Sequence, residues 1–439
     1  MNDLRGKRVA VVGMAKSGIA AVELLVGQGA TVIALDQKSV TDARLTALGV
    51  EVRPQDPSAV SGVDLVVLSP GVPADADVAL AASAAGVSVI GDLELASWYL
   101  QGDIIGITGA NGKTTTTAMT GHILQASGIP VQVGGNIGTP PASMVATSRP
   151  DQWNVLELSS FQLETTTTFR AHIGAALNVT PDHLDRHYTF ENYAAAKAKL
   201  FANQTATDFA VLNADDAVTR GYQTAGKILW FSSSQTLNHG ASVHGTTILL
   251  DGEPLMQTAE VPLRGAHNIE NTMAAALMAK LAGATPMQIR EAVMSFPGVE
   301  HRIEFVGDLA GVAWYNDSKA TNVDATLKAI AAFDGGLWII LGGKDKGSDY
   351  APLVAALQHK AKGVLLIGAA AKKIESQITG LPIHHCGTLE GAVREAHARA
   401  HRGDTILLAP ACASFDQFDG YEHRGREFKR IAIALGVTR

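Results

Sequence analysis

The stretch Asp103-Ile104-Ile105-Gly106-Ile107-Thr108-Gly109-Ala110-Asn111-Gly112-Lys113-Thr114-Thr115 decides the fold. Asp103 to Thr108 reads as a short apolar strand, Gly109 to Gly112 as a tight loop, and the residues from Lys113 to about Ser127 as a helix. Backbone N–H groups in such a loop, at a helix N-terminus, point at phosphate oxygens. Lys113 adds a mobile positive charge for β- and γ-phosphates, and the Thr114 hydroxyl suits Mg²⁺. The strict pattern GxxxxGK[ST] fails by one place, because its first glycine would fall on Ile107. A Gly-Lys-Thr between strand and helix still points to a nucleoside triphosphate.

The same rhythm of apolar run, turn and helix extends both ways from this loop, which predicts βα units and parallel sheets. Upstream, strands are expected at Arg8–Val12, Thr31–Leu35, Leu65–Leu68 and Val87–Ile90. Downstream, they are expected to end at Glu157 and at Asn178-Val179, and to cover Phe209–Leu212 and Ile228–Phe231. Ser242–Pro254 alternates around Asp251-Gly252, a hairpin signal. Helices follow at about Asn268–Ala282 and Pro286–Phe296. After Phe296-Pro297-Gly298 the rhythm restarts, with strands at Val312–Tyr315, Leu337–Leu341, Val364–Ile367 and Thr405–Leu408. A chain of 439 residues has a prior of about three domains. The breaks place them at 1–93, 94–298 and 299–439: α/β throughout, with a Rossmann-like domain at each end and a P-loop ATPase-like α/β domain between.

Composition excludes several classes. Hydrophobic residues make up 46% and charged residues 18%, which is globular composition. Two cysteines, Cys386 and Cys412, rule out a disulfide framework and fit a cytoplasmic protein. No apolar run reaches the ~18 residues of a membrane helix. Met1–Arg8 leads directly into a strand, so no signal peptide is expected. A net charge of -7 argues against a nucleic-acid partner.

Other strand-end loops carry candidate site residues. Gly13-Met14-Ala15-Lys16-Ser17-Gly18 nearly matches a dinucleotide fingerprint, and Asp36 follows 18 residues after Gly18. Ala15 stands where a glycine would let a pyrophosphate touch the backbone. Three readings therefore stay open: a structural turn, another phosphate-bearing ligand, or NAD in a dehydrogenase. Glu157, a carboxylate ending an apolar strand, is well placed for Mg²⁺ or for a salt bridge. Asp182-His183-Leu184-Asp185-Arg186-His187 is either a metal or phosphate site or an ordinary polar loop. Lys197 and Lys199 alone read as a solvated helix face. In the last domain Asn316–Lys319, Gly342–Gly347 and Pro410–Ser414 all follow strands and define a candidate crevice.

Together these residues resemble the ATP-dependent Mur ligase family, which extends the peptide stem of bacterial cell-wall precursors. The resemblance is carried by Thr108–Thr114, Glu157-Leu158-Ser159-Ser160-Phe161-Gln162-Leu163, Asn178-Val179-Thr180-Pro181-Asp182-His183, His267–Asn271, His301-Arg302 and Asn316–Asn322. It covers essentially the whole chain. Gly134–Gly138, Ser159–Glu164 and Pro410–Phe418 resemble the branch that adds D-glutamate to UDP-N-acetylmuramoyl-L-alanine. The resemblance implies a monomeric cytoplasmic enzyme with those two substrates, ATP and two Mg²⁺. It places ATP on Gly109, Asn111, Gly112, Lys113, Thr114, Thr115, Asn268, Asn271, Arg302, Asp317 and Lys319. One ion falls to Thr114 and Glu157, the other to His183 and a carbamylated Lys197. Lys113, Glu157, His183 and Lys197 are thus the candidate catalytic residues. The uridine substrate falls to Lys16, Ser17, Asp36, Gly71 and Asn136. Glutamate falls to Thr321, Ser414, Tyr421 and Lys346, with Lys344 as the alternative lysine.

Overall fold

Val9 to Val12 are wholly buried, and this continuous apolar run makes Arg8–Val12 (β1) the middle of a parallel sheet covered on both faces. The computed structural model describes residues 3–438. The first sheet adds Thr31–Asp36 (β2), Val52–Pro54 (β3), Leu65–Leu68 (β4) and Ser88–Gly91 (β5), in the order β3-β2-β1-β4-β5, all parallel. The order reverses beside β1. The loops after β1 and β4 therefore diverge and leave a crevice at the carboxyl ends.

The second sheet contains Asp103–Thr108 (β6), Val131–Gly135 (β7), Trp153–Glu157 (β8), Ile173–Ala176 (β9), Phe209–Asn213 (β10), Lys227–Ser232 (β11), Ala241–His244 (β12), Thr247–Leu250 (β13) and Glu253–Gln257 (β14). Its order is β14-β13-β12-β11-β10-β9-β6-β8-β7. β6 lies between β8 and β9, with Ile107 opposite Glu157 and Thr108 opposite Ala176. The third sheet contains Glu304–Leu309 (β15), Val312–Asn316 (β16), Leu337–Gly342 (β17), Ala361–Ile367 (β18), Ile383–Gly387 (β19) and Thr405–Leu408 (β20), in the order β15-β16-β20-β17-β18-β19. Only β15 runs antiparallel there.

The chain forms two compact units. The first is Met1–Val261 with Ile269–Phe296 and holds the first two sheets; the second is Pro262–Asn268 with Pro297–Arg439 and holds the third. Among the described residues no helix is long and apolar enough to cross a membrane.

The expected strands form, with informative exceptions. β3, β7, β15 and β19 carry no clear apolar signal, and all four are sheet edges. An edge strand is solvated along one side, so polar residues such as Gln132, His384 and His385 are tolerated there. β9 ends at Ala176, so Asn178-Val179 lie in the loop beyond it rather than at a strand end. The expected single hairpin is part of a three-stranded meander, β12-β13-β14. Asp251 and Gly252 turn its second half with φ of 52° and 82°, the two positive values of a type I′ turn.

Within the first unit, the short helix Asp92–Ser97 joins the first sheet to the second. Two buried carboxylates lie on it. Asp92 is 1% exposed, and neither of its oxygens makes a full hydrogen bond. Burial pushes its carboxyl up to about 7, only partly offset by the Leu93 N–H and the Ser17 hydroxyl. A raised value stabilises the fold through the protonated form. That contribution is complete below the unfolded value of 3.8 and lost as pH rises through about 7. Asp92→Asn should therefore gain stability over the wild type between pH 4 and pH 8, by on the order of 2–4 kcal/mol. Thermal melts of both proteins across that range check it; a constant difference would contradict the assignment.

Candidate functional site

The P-loop is shaped by its own backbone and by one neighbour. Gly112 sits at φ 86°, where a Cβ would come within 2.3 Å of the Asn271 Oδ1, so conformation and space both demand glycine. Asn178, one strand over, braces the loop. Its carbonyl accepts from Ala110 N at 2.8 Å, its Oδ1 from Asn111 N at 2.9 Å, and its Nδ2 donates to Asn111 O at 3.1 Å. The motif containing Asn178 is visible in the sequence, but no role follows from it there. The helix Lys113–Ala126 then buries Thr114 to Thr117. Four consecutive threonines are poor helix formers, so packing rather than propensity holds this turn. Lys113 Nζ folds back onto the carbonyls of Gly109 and Ala110, at 2.8 and 3.0 Å.

Glu157, at the tip of β8, is 2% exposed. Its Oε1 accepts from Asn136 Nδ2 at 3.0 Å, while Oε2 is buried with no hydrogen-bond partner. An orphaned buried carboxylate oxygen beside a P-loop fits a cation. Among the described residues no three His, Cys, Asp or Glu side chains gather to hold a metal. An ion here would rely on Glu157, the Thr114 hydroxyl and phosphate oxygens, the usual environment of Mg²⁺.

Lys197 is 1% exposed, not on a solvated face as its helix alone suggests. Nζ donates to Gly109 O at 2.8 Å and lies 4.5 Å from the centre of the Tyr193 ring. Burial, reinforced by the charge of Lys113, pushes its amine well below the usual lysine value. Lys199 is exposed. The Asp182–His187 segment does not gather into one cluster. His183 is exposed at φ 52°, with Nε2 3.6 Å from Asp182 and its ring edge-on to Phe161. His187 turns inward to Ser160 Oγ at 3.0 Å, and Asp185 is exposed.

The crevice above β1 and β4 has a volume of about 410 Å³ and is lined by Lys16, Ser17, Asp36, Gly71 and Asn136, all five of the expected positions. Asp36 receives Met14 N at 2.6 Å and Lys38 N at 2.8 Å, so it also fixes the loops around it. Lys16 Nζ reaches the carbonyl of Gly138.

In the second unit, Asp317 is 6% exposed. Burial pushes its carboxyl up to about 7 against the pull of Arg302, the Ile303 N–H and Lys319. His301 and Ile303, flanking Arg302, hold φ of 65° and 42°. For a β-branched residue such as Ile303 that is a strained backbone. Lys319 Nζ lies 5.4 Å from the centre of the Tyr421 ring. Ser414 is 2% exposed, Thr321 half-buried, and Lys344 and Lys346 are both exposed. Asn268 anchors to Arg264 O at 2.6 Å. Asn268 and Asn271 both belong to the helix Ala266–Leu281.

Comparison with known proteins follows the same three segments. Residues 7–91 match the description "Mur ligase MurD-like, N-terminal domain", residues 107–279 "Mur ligase middle domain" and residues 301–412 "Mur ligase, glutamate ligase domain". A protein of Solibacter usitatus named UDP-N-acetylmuramoylalanine--D-glutamate ligase is 57% identical over 98% of this chain and 99% of its own length. The chain belongs to the Mur ligase family. Another relative of this Mur ligase, from Koribacter versatilis and bearing the same name, is 50% identical over 98% of both chains. Among solved structures, the UDP-N-acetylmuramate-alanine ligase of Thermotoga maritima matches with a TM-score of 0.64 at 19% identity, covering 98% of this chain and all of that one. A pseudomurein peptide ligase of Methanothermus fervidus matches at 0.59 and 18% identity, again over 98% of this chain and all of that one. At such identities these two establish that the Mur ligase fold is shared.

Proposed function

We propose that this Mur ligase joins D-glutamate to UDP-N-acetylmuramoyl-L-alanine at the expense of ATP, in the cytoplasmic synthesis of peptidoglycan precursors. The observation that carries the reading is the full-length, 57% identical relative with that substrate pair in its name. A glutamate ligase domain description over residues 301–412 supports it. A nicotinamide-linked dehydrogenase using Gly13–Gly18 would leave the P-loop and the buried Glu157 without purpose.

A carboxylate is a poor electrophile. Transfer of the γ-phosphoryl group of ATP to the L-alanine carboxylate gives an acyl phosphate and ADP. The glutamate amine attacks its carbonyl carbon, and the tetrahedral intermediate expels phosphate as the amide forms. The protein's part is positioning and charge neutralisation. Lys113 and the N–H groups of Gly109–Thr115 serve the phosphates, and Asn268, Asn271, Arg302, Asp317 and Lys319 complete the nucleotide site. Thr114 with Glu157, and His183 with a carbamylated Lys197, would each hold a Mg²⁺. The ions would neutralise phosphate charge. Carbamylation adds CO₂ to a neutral amine with loss of a proton. The buried amine of Lys197 suits that chemistry, and the assignment rests on family resemblance. Lys16, Ser17, Asp36, Gly71 and Asn136 serve the uridine substrate. Thr321, Ser414, Tyr421 and Lys346 or Lys344 serve glutamate. Residues 1–93, 94–298 and 299–439 are then one domain per substrate.

The test is phosphate release with UDP-N-acetylmuramoyl-L-alanine, ATP and a panel of D- and L-amino acids. Release with D-glutamate alone is expected. Release with an L-amino acid, or none with D-glutamate, would overturn the reading.

A further inference from the structure

Arg424 has no counterpart in any motif above, yet it is the most buried charge in the second unit, with 0% exposure. It projects from the helix Tyr421–Ala434 beneath the three strand-end loops of the third sheet. Nε donates to Ser318 Oγ at 3.0 Å and Nη2 to Ser318 O at 2.9 Å, in the loop after β16. Nη2 also donates to Cys412 O at 3.1 Å, and Nη1 to Ala413 O at 3.3 Å, in the loop after β20. The third loop, after β17, comes so close that a Cβ on Gly343 would lie 3.1 Å from Nη1 and 2.3 Å from Ala413 O.

All four hydrogen bonds end on neutral oxygens. Asp416, a carboxylate whose charge acts on the guanidinium, is exposed and accepts from Ala369 N at 3.0 Å. Burial lowers the guanidinium to about 10, so it stays charged at neutral pH. A buried cation without a carboxylate partner is costly, and its persistence calls for a reason other than stability.

Both loops have other anchors, and Arg424 is the side chain that bonds to the two together. Asn316–Lys319 has anchors of its own: Asp317 N to Leu408 O at 2.8 Å, Ser318 Oγ to Tyr421 O at 2.8 Å, and Ser318 N to Asn316 Oδ1 at 3.1 Å. The Pro410–Ser414 loop is anchored by Ala411 N to Ala320 O at 2.9 Å, by Lys344 N to Ala413 O at 2.8 Å and by the Tyr350 hydroxyl 3.0 Å from Cys412 Sγ. Arg424 adds its bonds to the carbonyls of Cys412 and Ala413, immediately before Ser414. The planar fork of donors lets one side chain serve oxygens on two loops at once, with more bonds than an ammonium in the same place.

We propose that Arg424 is the positioning residue of the acceptor amino-acid site, registering the Cys412–Ser414 loop against the Asp317–Lys319 loop. This rests on the reading of the Ser414 crevice as that site. Its charge, matched by no hydrogen-bonded carboxylate, also makes the crevice favourable to an anionic amino acid.

The test compares R424K and R424M in the full-length chain. The wild-type amino-acid panel first decides the acceptor, and the variants are scored with that same acceptor. A different acceptor thus overturns the proposed reaction without touching Arg424. R424M should raise the acceptor KM by about tenfold to a hundredfold, while the KM for the uridine substrate changes less than about threefold. R424K, which keeps the charge and some donors, should recover part of that loss. Hydrogen exchange of residues 410–418 should be faster in both variants, most in R424M, and that readout needs no acceptor. An unchanged acceptor KM, an equal rise in every KM, or unaltered exchange at 410–418 would overturn the proposal. If R424M does not fold, the R424K acceptor KM and exchange decide alone.

Discussion

Lys113→Ala should abolish turnover, lowering phosphate release in the complete reaction by about a thousandfold or more. The reason lies in where Nζ sits. It rests on the carbonyls of Gly109 and Ala110, over the loop whose N–H groups would face the phosphates in the proposed reaction. The γ-phosphoryl group carries charge that must be neutralised as it moves to a carboxylate that is itself negative. Thr114, in the first turn of the helix, and Glu157, at the end of β8, bring no positive charge. The substitution should leave the fold intact, because Lys113 is only half-buried and opens a helix that packs through Thr114–Thr117, Met119 and Ile123. Phosphate release and a melting curve, measured side by side, check both halves. Wild-type-like turnover would remove the P-loop from the reaction, and a collapsed melt would make the loss structural.

Glu94→Ala should be strongly destabilising, by about 3–5 kcal/mol. Glu94 is fully buried on the helix that links the first two sheets. Its carboxylate accepts from the backbone N–H of Thr167, Thr168 and Phe169 at 2.9 Å each, and from Trp98 Nε1 at 3.0 Å, with the Thr168 hydroxyl as a further donor. Alanine would leave three backbone donors unpaired. Burial raises its carboxyl, but the Thr168 hydroxyl and the three N–H groups outweigh it, so the net value is lowered. The contribution is therefore present above the usual glutamate value of 4.5 and lost as pH falls through the lower folded value. Denaturant unfolding at pH 7 and at pH 4 tests this. A loss under about 1 kcal/mol at pH 7 would show that the donors find other partners.

These effects differ in how far a reader of the sequence could foresee them. Lys113 announces itself, because a phosphate-binding loop is local: its glycines, lysine and hydroxyl are contiguous, and the strand and helix around it have their own periodicities. The same holds for Glu157 at the end of an apolar run and for inner strands such as β1, β4 and β17, whose burial on both faces favours apolar residues throughout. The edge strands β3, β7, β15 and β19 are less legible, because one solvated side relaxes that demand.

Glu94, Asp92, Asn178 and Arg424 lie at the other extreme. Each gains its meaning from partners distant in sequence, such as Thr167–Phe169 for Glu94 and Ser318 with Cys412 for Arg424. Lys197 shows the same limit from the other direction. Its helix reads as solvated, and only packing against Tyr193 and Gly109 makes it buried and weakly basic. Sequence alone determined the three α/β segments, the nucleotide loop and the family, because those depend on short-range patterns of apolarity, turn residues and contiguous motifs. Tertiary structure alone decided which charges are buried and which loops they hold together. Desolvation and hydrogen-bond geometry depend on atoms that only folding brings within reach.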